Sequence, residues 1–277
     1  MRPRQEIAQP RHFSYCWLPS SVEGTWLKPY LQAVHLPHQE DENNQTLLLE
    51  IKQLTADTVI AAAPHEASLI FKLEPFTDSQ PCHGEYLITR DDYAITITAG
   101  DYAGLLYGWF HLLRNIANPR GVKEITKERP AFAIRMINHW DNMDGSIERG
   151  YAGRSLFFAD NKISYDETRL CQYARLLASV GINALTINNV NVHHHETDLI
   201  SQRLLPDVAR IAAIFRRYAI QLFLSVNFAA PIETGDLTTA DPFDPQVVTW
   251  WQQRAEEIYQ YIPDFGGYVV KADSEHR

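Results

Sequence analysis

The sequence has few cysteines and no long apolar segment. Its three cysteines, Cys16, Cys82 and Cys171, are far apart in a chain of 277 residues. Because this odd number and wide spacing fit neither a disulfide framework nor a set of metal ligands, we predict free thiols in a reducing compartment. No run of about 18 apolar residues occurs, and the polar, proline-containing start lacks the apolar segment of a signal peptide. We therefore expect a cytoplasmic protein that neither crosses nor binds a membrane.

Basic charge is also scarce, with 34 acidic against 25 basic side chains and a net charge of -9. Nucleic-acid binding needs a basic face, and no Lys/Arg cluster stands out, so we exclude nucleic acid as a partner. The glycine-rich dinucleotide and phosphate motifs and the G-x-S-x-G motif of serine hydrolases do not occur. His193, His194 and His195 are adjacent and cannot converge on one ion as an i, i+4 pair does. An exposed loop is predicted there instead of a metal site.

The first part of the chain predicts a small α+β domain, residues 1–128. Alternating apolar and polar residues predict strands at 46–54, 67–73, 85–89 and 94–99. A turn at 90–92 would join the last two strands as an antiparallel hairpin. Apolar residues recur at helical spacing over 102–115, which predicts a helix packed on this sheet. The polar segment 118–130, bracketed by prolines, is the predicted linker to the next domain.

The second part, residues 129–277, alternates short apolar strands with amphipathic helices. The predicted strands are 133–138, 184–190, 221–227 and 267–272, and the predicted helices are 166–180, 207–218 and 245–261. Such alternation is typical of parallel β/α folds. A complete (β/α)8 TIM barrel needs about 250 residues. The fold class expected is therefore α/β, with a small α+β domain followed by the first four β/α units of a truncated barrel. An open four-stranded parallel sheet is the alternative.

Polar residues follow the predicted strands, where the ligand sites of β/α proteins lie. The second strand runs into Asn188 and Asn189 at its carboxyl end. The fourth runs into Lys271, Asp273 and Glu275, which share one face because a strand has a period of two. A carboxylic acid there could protonate a leaving oxygen, and the ammonium could bind a substrate carboxylate. The alternative is a solvated strand end or an internal ion pair.

The segment 138–158 is too long for a simple strand-to-helix turn and is rich in Trp, Asn, Asp, Gly and Arg. Loops of this length are commonly functional, and an aromatic group among hydrogen-bonding groups predicts a wall against which a sugar stacks. Trp140 would form this wall. The alternative is a packed loop in which Trp140 lies in the core.

Three segments in the same order resemble the family 67 glycoside hydrolases, the xylan α-glucuronidases. They are NHWDNMDGSIERGYAGRSLFF at 138–158, INNVN at 187–191 and VKADSE at 270–275. The region before them, especially 102–114, is similar to the small domain that precedes the barrel in these enzymes. The resemblance implies inverting hydrolysis of the α-1,2 bond between (4-O-methyl)glucuronic acid and xylose in xylo-oligosaccharides. No cofactor is expected, because hydrolysis of this kind uses only carboxylates and water. The full-length enzyme is expected to be either a monomer or a homodimer.

The resemblance also assigns roles to residues. Glu275 would be the general acid, and Lys271 the cation that binds the uronate carboxylate. Trp140 would belong to the sugar-binding wall, and Val190 would line the space for the 4-O-methyl group. Further substrate-binding candidates are Asn188, Asn189 and Asp273. The carboxylates that activate water in this family lie on later strands that these 277 residues do not include, so we expect the chain alone to be inactive.

Three other functions stay open. A hexosaminidase-like glycosidase would need adjacent acidic residues on the fourth strand, whereas Ser274 separates Asp273 from Glu275, and Lys271 favours an anionic sugar. A non-catalytic carbohydrate-binding protein would use the same Trp and Asn side chains and would not need Glu275. A structural or partner-binding protein would have no sugar affinity.

Overall fold

The computed structural model describes residues 18–37, 42–55, 57–77 and 80–271. The chain divides into two compact units. The first consists of residues 1–133 and 175–181, and the second of residues 134–174 and 182–277.

The first unit contains a six-stranded mixed sheet. Its strands are β1 (Ala33–His35), β2 (Val59–Ile60), β3 (Leu69–Leu73), β4 (Tyr86–Arg90), β5 (Ile95–Ala99) and β6 (Ile125–Glu128), in the order β2-β1-β3-β5-β4-β6. Strand β4 runs in the direction opposite to the other five strands. The predicted strand at 67–73 is confirmed as β3, and the predicted hairpin is confirmed, with Tyr86 opposite Ala99 in β4 and β5.

Helix α2 (Tyr102–Arg114) confirms the helix predicted over 102–115. It begins where the Asp101 carboxylate accepts a hydrogen bond from the Gly104 N–H at 2.8 Å, because such a cap satisfies a backbone donor that the first turn leaves unpaired. Glycine at 108 lets the helix approach the sheet closely, since a Cβ there would lie 2.6 Å from Ile97 Cγ2.

The strand predicted at 46–54 is wrong, because helix α1 (Glu42–Lys52) occupies this segment. Leu47 and Ile51 are fully buried while Leu49 is 58% exposed, which is the burial pattern of one helix face and not of alternating strand positions. The short apolar run satisfies both periods, and only the packing distinguishes them.

The predicted linker is wrong at its carboxyl end, where residues 125–128 form β6 and pair with β4. Strand β6 lies at the edge of the sheet, and its side chains are largely exposed. It therefore needs no apolar face, and its polar sequence gave no strand signal. Lys127 and Arg129 contact the buried Glu85 carboxylate at 3.5 and 3.1 Å.

The second unit contains a four-stranded parallel sheet. Its strands are β7 (Met136–Asn138), β10 (Ala184–Thr186), β11 (Gln221–Val226) and β12 (Gly267–Val270), which lie side by side in chain order. A separate antiparallel pair consists of β8 (Phe158–Ala159) and β9 (Lys162–Ile163). All four predicted parallel strands are present, although each is shorter than the predicted segment.

Helices alternate with the parallel strands along the chain. They are α3 (Glu167–Ser179), α4 (His194–Thr197), α5 (Leu205–Arg216), α6 (Ala230–Gly235) and α7 (Pro245–Tyr261). The helices predicted at 166–180, 207–218 and 245–261 are confirmed as α3, α5 and α7. The core of this unit includes the fully buried Leu185, Phe215 and Leu224. Across the part of the chain that the structure describes, no helix combines the length and apolar character needed to cross a membrane.

Candidate active site

The carboxyl ends of β7, β10, β11 and β12 lie at one edge of the sheet, because the four strands are parallel neighbours. The pairing of Asn138 with Thr186 and of Val226 with Val270 brings these ends level. The segments that follow them carry the predicted site residues Trp140, Asn188, Asn189, Val190 and Lys271. The other two, Asp273 and Glu275, lie outside the described residues.

Trp140 opens a compact loop, here called the Trp140 hairpin (residues 140–154). Bridges between Asp141 and Ile147 and between Ser146 and Arg154 close it. The Trp140 carbonyl accepts a hydrogen bond from the Glu148 N–H at 2.8 Å. The indole is 38% exposed, so the alternative that placed Trp140 in the core is wrong.

The two residues that flank Trp140 in the sequence, His139 and Asp141, are fixed by side-chain hydrogen bonds. Asp141 is 1% exposed, and its carboxylate accepts from Ser155 Oγ at 2.6 Å and lies 3.3 Å from His139 Nδ1. His139 Nε2 lies 2.8 Å from the Tyr173 hydroxyl. Burial, and then the charge of Asp141, raise the pKa of Tyr173 to about 12. The phenol is therefore neutral and can donate its hydroxyl hydrogen to Nε2 of His139.

Asn188 is fully buried, and its side chain joins two strand ends. Its Oδ1 accepts from the Ser225 N–H at 3.0 Å, and its Nδ2 donates to the Ser225 carbonyl at 2.9 Å. This pair ties the end of β10 to β11. A direct contact between Asn188 and substrate stays a prediction.

Asn189 is 1% exposed and belongs to a longer chain of hydrogen bonds. Its Nδ2 donates to Asn142 Oδ1 at 2.9 Å, and its Oδ1 accepts from the Asn191 N–H at 2.9 Å. Asn191 Oδ1 in turn accepts from Lys271 Nζ. Half-buried Val190 lies between the two asparagines in the chain. The structure thus connects Lys271 to the Trp140 hairpin.

Asn142 and Asn191 were not among the predicted site residues. A signal was present for Asn191, because asparagines two positions apart after a strand place two amides at the same sheet edge. The sequence did not show that Asn142 takes part in this chain of hydrogen bonds, because Asn189, which donates to its Oδ1, lies 47 positions away in the sequence.

Glu196 was not predicted as a site residue either, because the sequence predicted an exposed loop around the three histidines. Residues 194–197 form the short helix α4, the histidine side chains are exposed, and Glu196 is 3% exposed. Its carboxylate accepts from the Met143 N–H at 2.5 Å and from the His193 N–H at 3.1 Å. Glu196 therefore ties α4 to the Trp140 hairpin. Within the described ranges, no group of three His, Cys, Asp or Glu side chains is arranged to hold a metal ion.

Comparison with known proteins points to glycoside hydrolases. Two relatives are α-glucuronidase A of Emericella nidulans, 46% identical over 195 residues, and the probable α-glucuronidase A of Aspergillus niger, 44% identical over 192 residues. Each match covers 69% of this chain, but only 23% and 22% of the respective relative. The chain therefore spans less than a quarter of the length of these relatives.

A solved structure shows the same fold at low sequence identity. The family 20 exo-β-N-acetylglucosaminidase of Vibrio harveyi, a TIM-barrel glycosidase, matches 89% of this chain and 44% of its own, with a TM-score of 0.53 and 13% identity. The glycosyl hydrolase family 67 middle domain matches residues 116–277, more than half of the sequence. This protein therefore belongs to glycosyl hydrolase family 67.

Proposed function

We propose that this chain forms part of the active site of an α-glucuronidase that removes glucuronic acid, or its 4-O-methyl ether, from xylo-oligosaccharides. One observation carries the proposal: at the carboxyl edge of the parallel sheet, hydrogen bonds connect the Lys271 ammonium to the hairpin that presents Trp140. A cation beside an aromatic face suits an anionic sugar, because the ammonium pairs with the carboxylate and the indole contacts the ring. The relatives named α-glucuronidase support the same function.

The proposal includes a barrel. The four parallel strands are, in this view, the first four of a (β/α)8 barrel, whose ligand site lies at the carboxyl ends of its strands. Two observations support it. The strands lie side by side in chain order, as successive β/α units of a barrel do. The chain also resembles a TIM-barrel glycosidase of roughly twice its length.

The proposed roles follow the chemistry of inverting hydrolysis. Glu275 protonates the leaving xylose oxygen, Lys271 binds the uronate carboxylate, and Trp140 stacks on the sugar. Val190 lines the 4-O-methyl site, and Asn188, Asn189 and Asp273 complete the substrate-binding set. Inversion also needs a second carboxylate, about 6.5 to 9.5 Å from the acid, to activate water. The proposal assigns this residue to the part of the longer relatives that lies beyond the 277 residues, so this chain binds the sugar without turning it over.

Calorimetric titration with D-glucuronate and D-glucose tests the binding part of this proposal. We expect glucuronate to bind more tightly than glucose. Lys271→Met should remove this preference, because it deletes the charge and keeps an apolar side chain of similar length. Trp140→Ala should weaken both sugars, whereas Tyr93→Ala, which removes an aromatic ring that is 86% exposed in the first unit, should weaken neither. Equal affinity for the two sugars in the unsubstituted chain would contradict the proposal.

Release of glucuronic acid from aldotetraouronic acid tests the catalytic part. We expect no turnover by the 277-residue chain, because loss of one acid/base partner costs a factor of about 10² to 10⁴ in rate. Turnover that disappears in Glu275→Gln would uphold Glu275 as the acid and refute the need for a carboxylate outside the chain. Turnover that persists in Glu275→Gln would refute the role of Glu275.

A further inference from the structure

Three neutral side chains connect the predicted uronate cation to the predicted sugar-stacking wall. We infer that Asn142, Asn189 and Asn191, here called the asparagine relay, position Lys271 relative to the Trp140 hairpin, and that Asn191 determines the preference for an anionic sugar. The inference rests on the proposed function for its ligand, and goes beyond it by naming positioning residues and a specificity-determining residue.

The first half of the relay is buried and fully paired. Asn142 is 7% exposed, and its Nδ2 donates to the Glu148 carbonyl at 2.8 Å and to Ser146 Oγ at 2.9 Å. Its Oδ1 accepts from Asn189 Nδ2 at 2.9 Å. The Glu148 N–H donates to the Trp140 carbonyl at 2.8 Å. The Asn142 side chain, which donates to the Glu148 carbonyl, therefore stabilises the Trp140 hairpin.

The second half reaches across the sheet. Asn189 Oδ1 accepts from the Asn191 N–H at 2.9 Å, which turns the chain so that the Asn191 side chain meets Lys271 Nζ. Strand β11 lies between β10 and β12, so this contact joins the ends of two strands that are not neighbours. The two halves together form one path of hydrogen bonds from Trp140 to Lys271, which runs through the three amide side chains and the backbone groups of Glu148 and Asn191.

The residue type at position 191 has an electrostatic consequence. An amide oxygen accepts a hydrogen bond from an ammonium group without neutralising its charge, whereas a carboxylate in the same place would form an ion pair with it. Aspartate at 191 would add a negative charge within hydrogen-bond distance of Lys271 and would repel a uronate. A neutral sugar would be affected far less, because it carries no charge to be repelled.

Sugar titration of three variants tests the specificity role. Asn191→Asp should weaken D-glucuronate binding about tenfold or more and leave D-glucose binding within about twofold, which is an electrostatic effect of ordinary size. Asn191→Ala should weaken glucuronate less, because it removes one hydrogen bond to the ammonium without adding a negative charge that repels the sugar. Asn118→Asp makes the same substitution at an exposed position of the first unit and should change neither affinity. Equal loss for both sugars in Asn191→Asp, or no loss for either, would overturn this role.

A measurement without sugar tests the positioning role. Trace acylation with acetic anhydride, followed by peptide mass spectrometry, reports the reactivity of each lysine. We expect Lys271 to react severalfold faster in Asn191→Ala than in the unsubstituted chain, while exposed Lys162 reacts at the same rate in both. An unchanged Lys271 rate overturns the relay whichever sugar the chain binds. Faster labelling without any preference for glucuronate instead refutes the proposed function and Asn191 as its specificity determinant, and leaves the positioning contact standing.

Discussion

At the scale of single residues, the carboxyl edge of the parallel sheet is built from buried amides. Asn142, Asn188, Asn189 and Asn227 are all less than 9% exposed, and the donor and acceptor ends of each are hydrogen-bonded. An uncharged amide can be buried cheaply when both ends are paired, whereas an unpaired carboxylate would carry a much larger desolvation cost. These neutral amides therefore contribute to holding the strand ends together, alongside the buried carboxylates of Asp141 and Glu196.

Replacing Asn188 by alanine tests this structural use of an amide. The substitution removes both bonds to the Ser225 backbone, and we expect the free energy of unfolding to fall by about 1 to 3 kcal/mol, the usual cost of leaving buried polar groups unpaired. Urea denaturation at pH 7 measures the change. Asn118→Ala, at an exposed position, is the matched control and should cost less than about 0.5 kcal/mol. An equally small cost for Asn188→Ala would show that the pair contributes little.

At the scale of elements, the start of helix α2 depends on the polar contacts of one side chain, Asp101. Asp101 caps α2 through the Gly104 N–H, and also accepts from the Gly84 N–H at 3.0 Å and contacts His83 at 2.9 Å. Burial raises the pKa of this carboxyl, but the hydrogen bonds and charge of His83 and the two backbone N–H groups outweigh it, so the pKa lies below its ordinary value. The ionised carboxylate is thus the form that stabilises the start of α2.

The stabilisation from Asp101 depends on pH in a defined direction. Because its pKa is lower in the folded than in the unfolded chain, its contribution is complete above the unfolded value of about 4 and is lost as the pH falls through the folded value. We expect Asp101→Ala to lower the free energy of unfolding by about 0.5 to 2 kcal/mol at pH 6. Urea titrations from pH 6 to pH 3 should show this difference shrinking. Asp92→Ala, at an exposed turn position, is the control, and a difference for Asp101→Ala that stays constant with pH would contradict the prediction.

At the scale of the whole molecule, each unit has its own sheet with buried inner strands and more exposed outer ones. In the second unit, Leu185 of β10 and Leu224 of β11 are fully buried, whereas Val270 of β12 is 56% exposed. Strands β10 and β11 pair on both sides, while β12 pairs with β11 alone within the described residues. Local opening of the backbone should therefore be least frequent in the two inner strands of this unit.

Hydrogen exchange followed by mass spectrometry or NMR checks this ranking. We expect backbone amides of β10 and β11 to exchange more slowly than those of β12, because local opening costs least where pairing and burial are least. In the first unit, the amides of the inner strands β3 and β5 should exchange more slowly than those of the edge strand β2. This second sheet provides an internal comparison. Equal protection of β11 and β12 would contradict the prediction.

The order of the parallel strands and the helices α2, α3, α5 and α7 could be predicted from the sequence, because their long periodic patterns favour one element each. The short segments could not. At α1 the apolar run fits two periods, and the buried carboxylate of Glu50 within it pairs with Arg175, 125 residues away. At β6 an edge position removes the apolar face by which a strand is usually detected.

The same distinction applies to the candidate site. The sequence alone determined which segments follow the parallel strands, and so placed Trp140, Asn189 and Lys271 at one sheet edge. Only the tertiary structure decided that Asn142 and Asn191 connect these residues and that Glu196 is buried against the hairpin. Periodicity depends on neighbours along the chain, whereas a hydrogen bond between side chains depends on positions that only folding brings together.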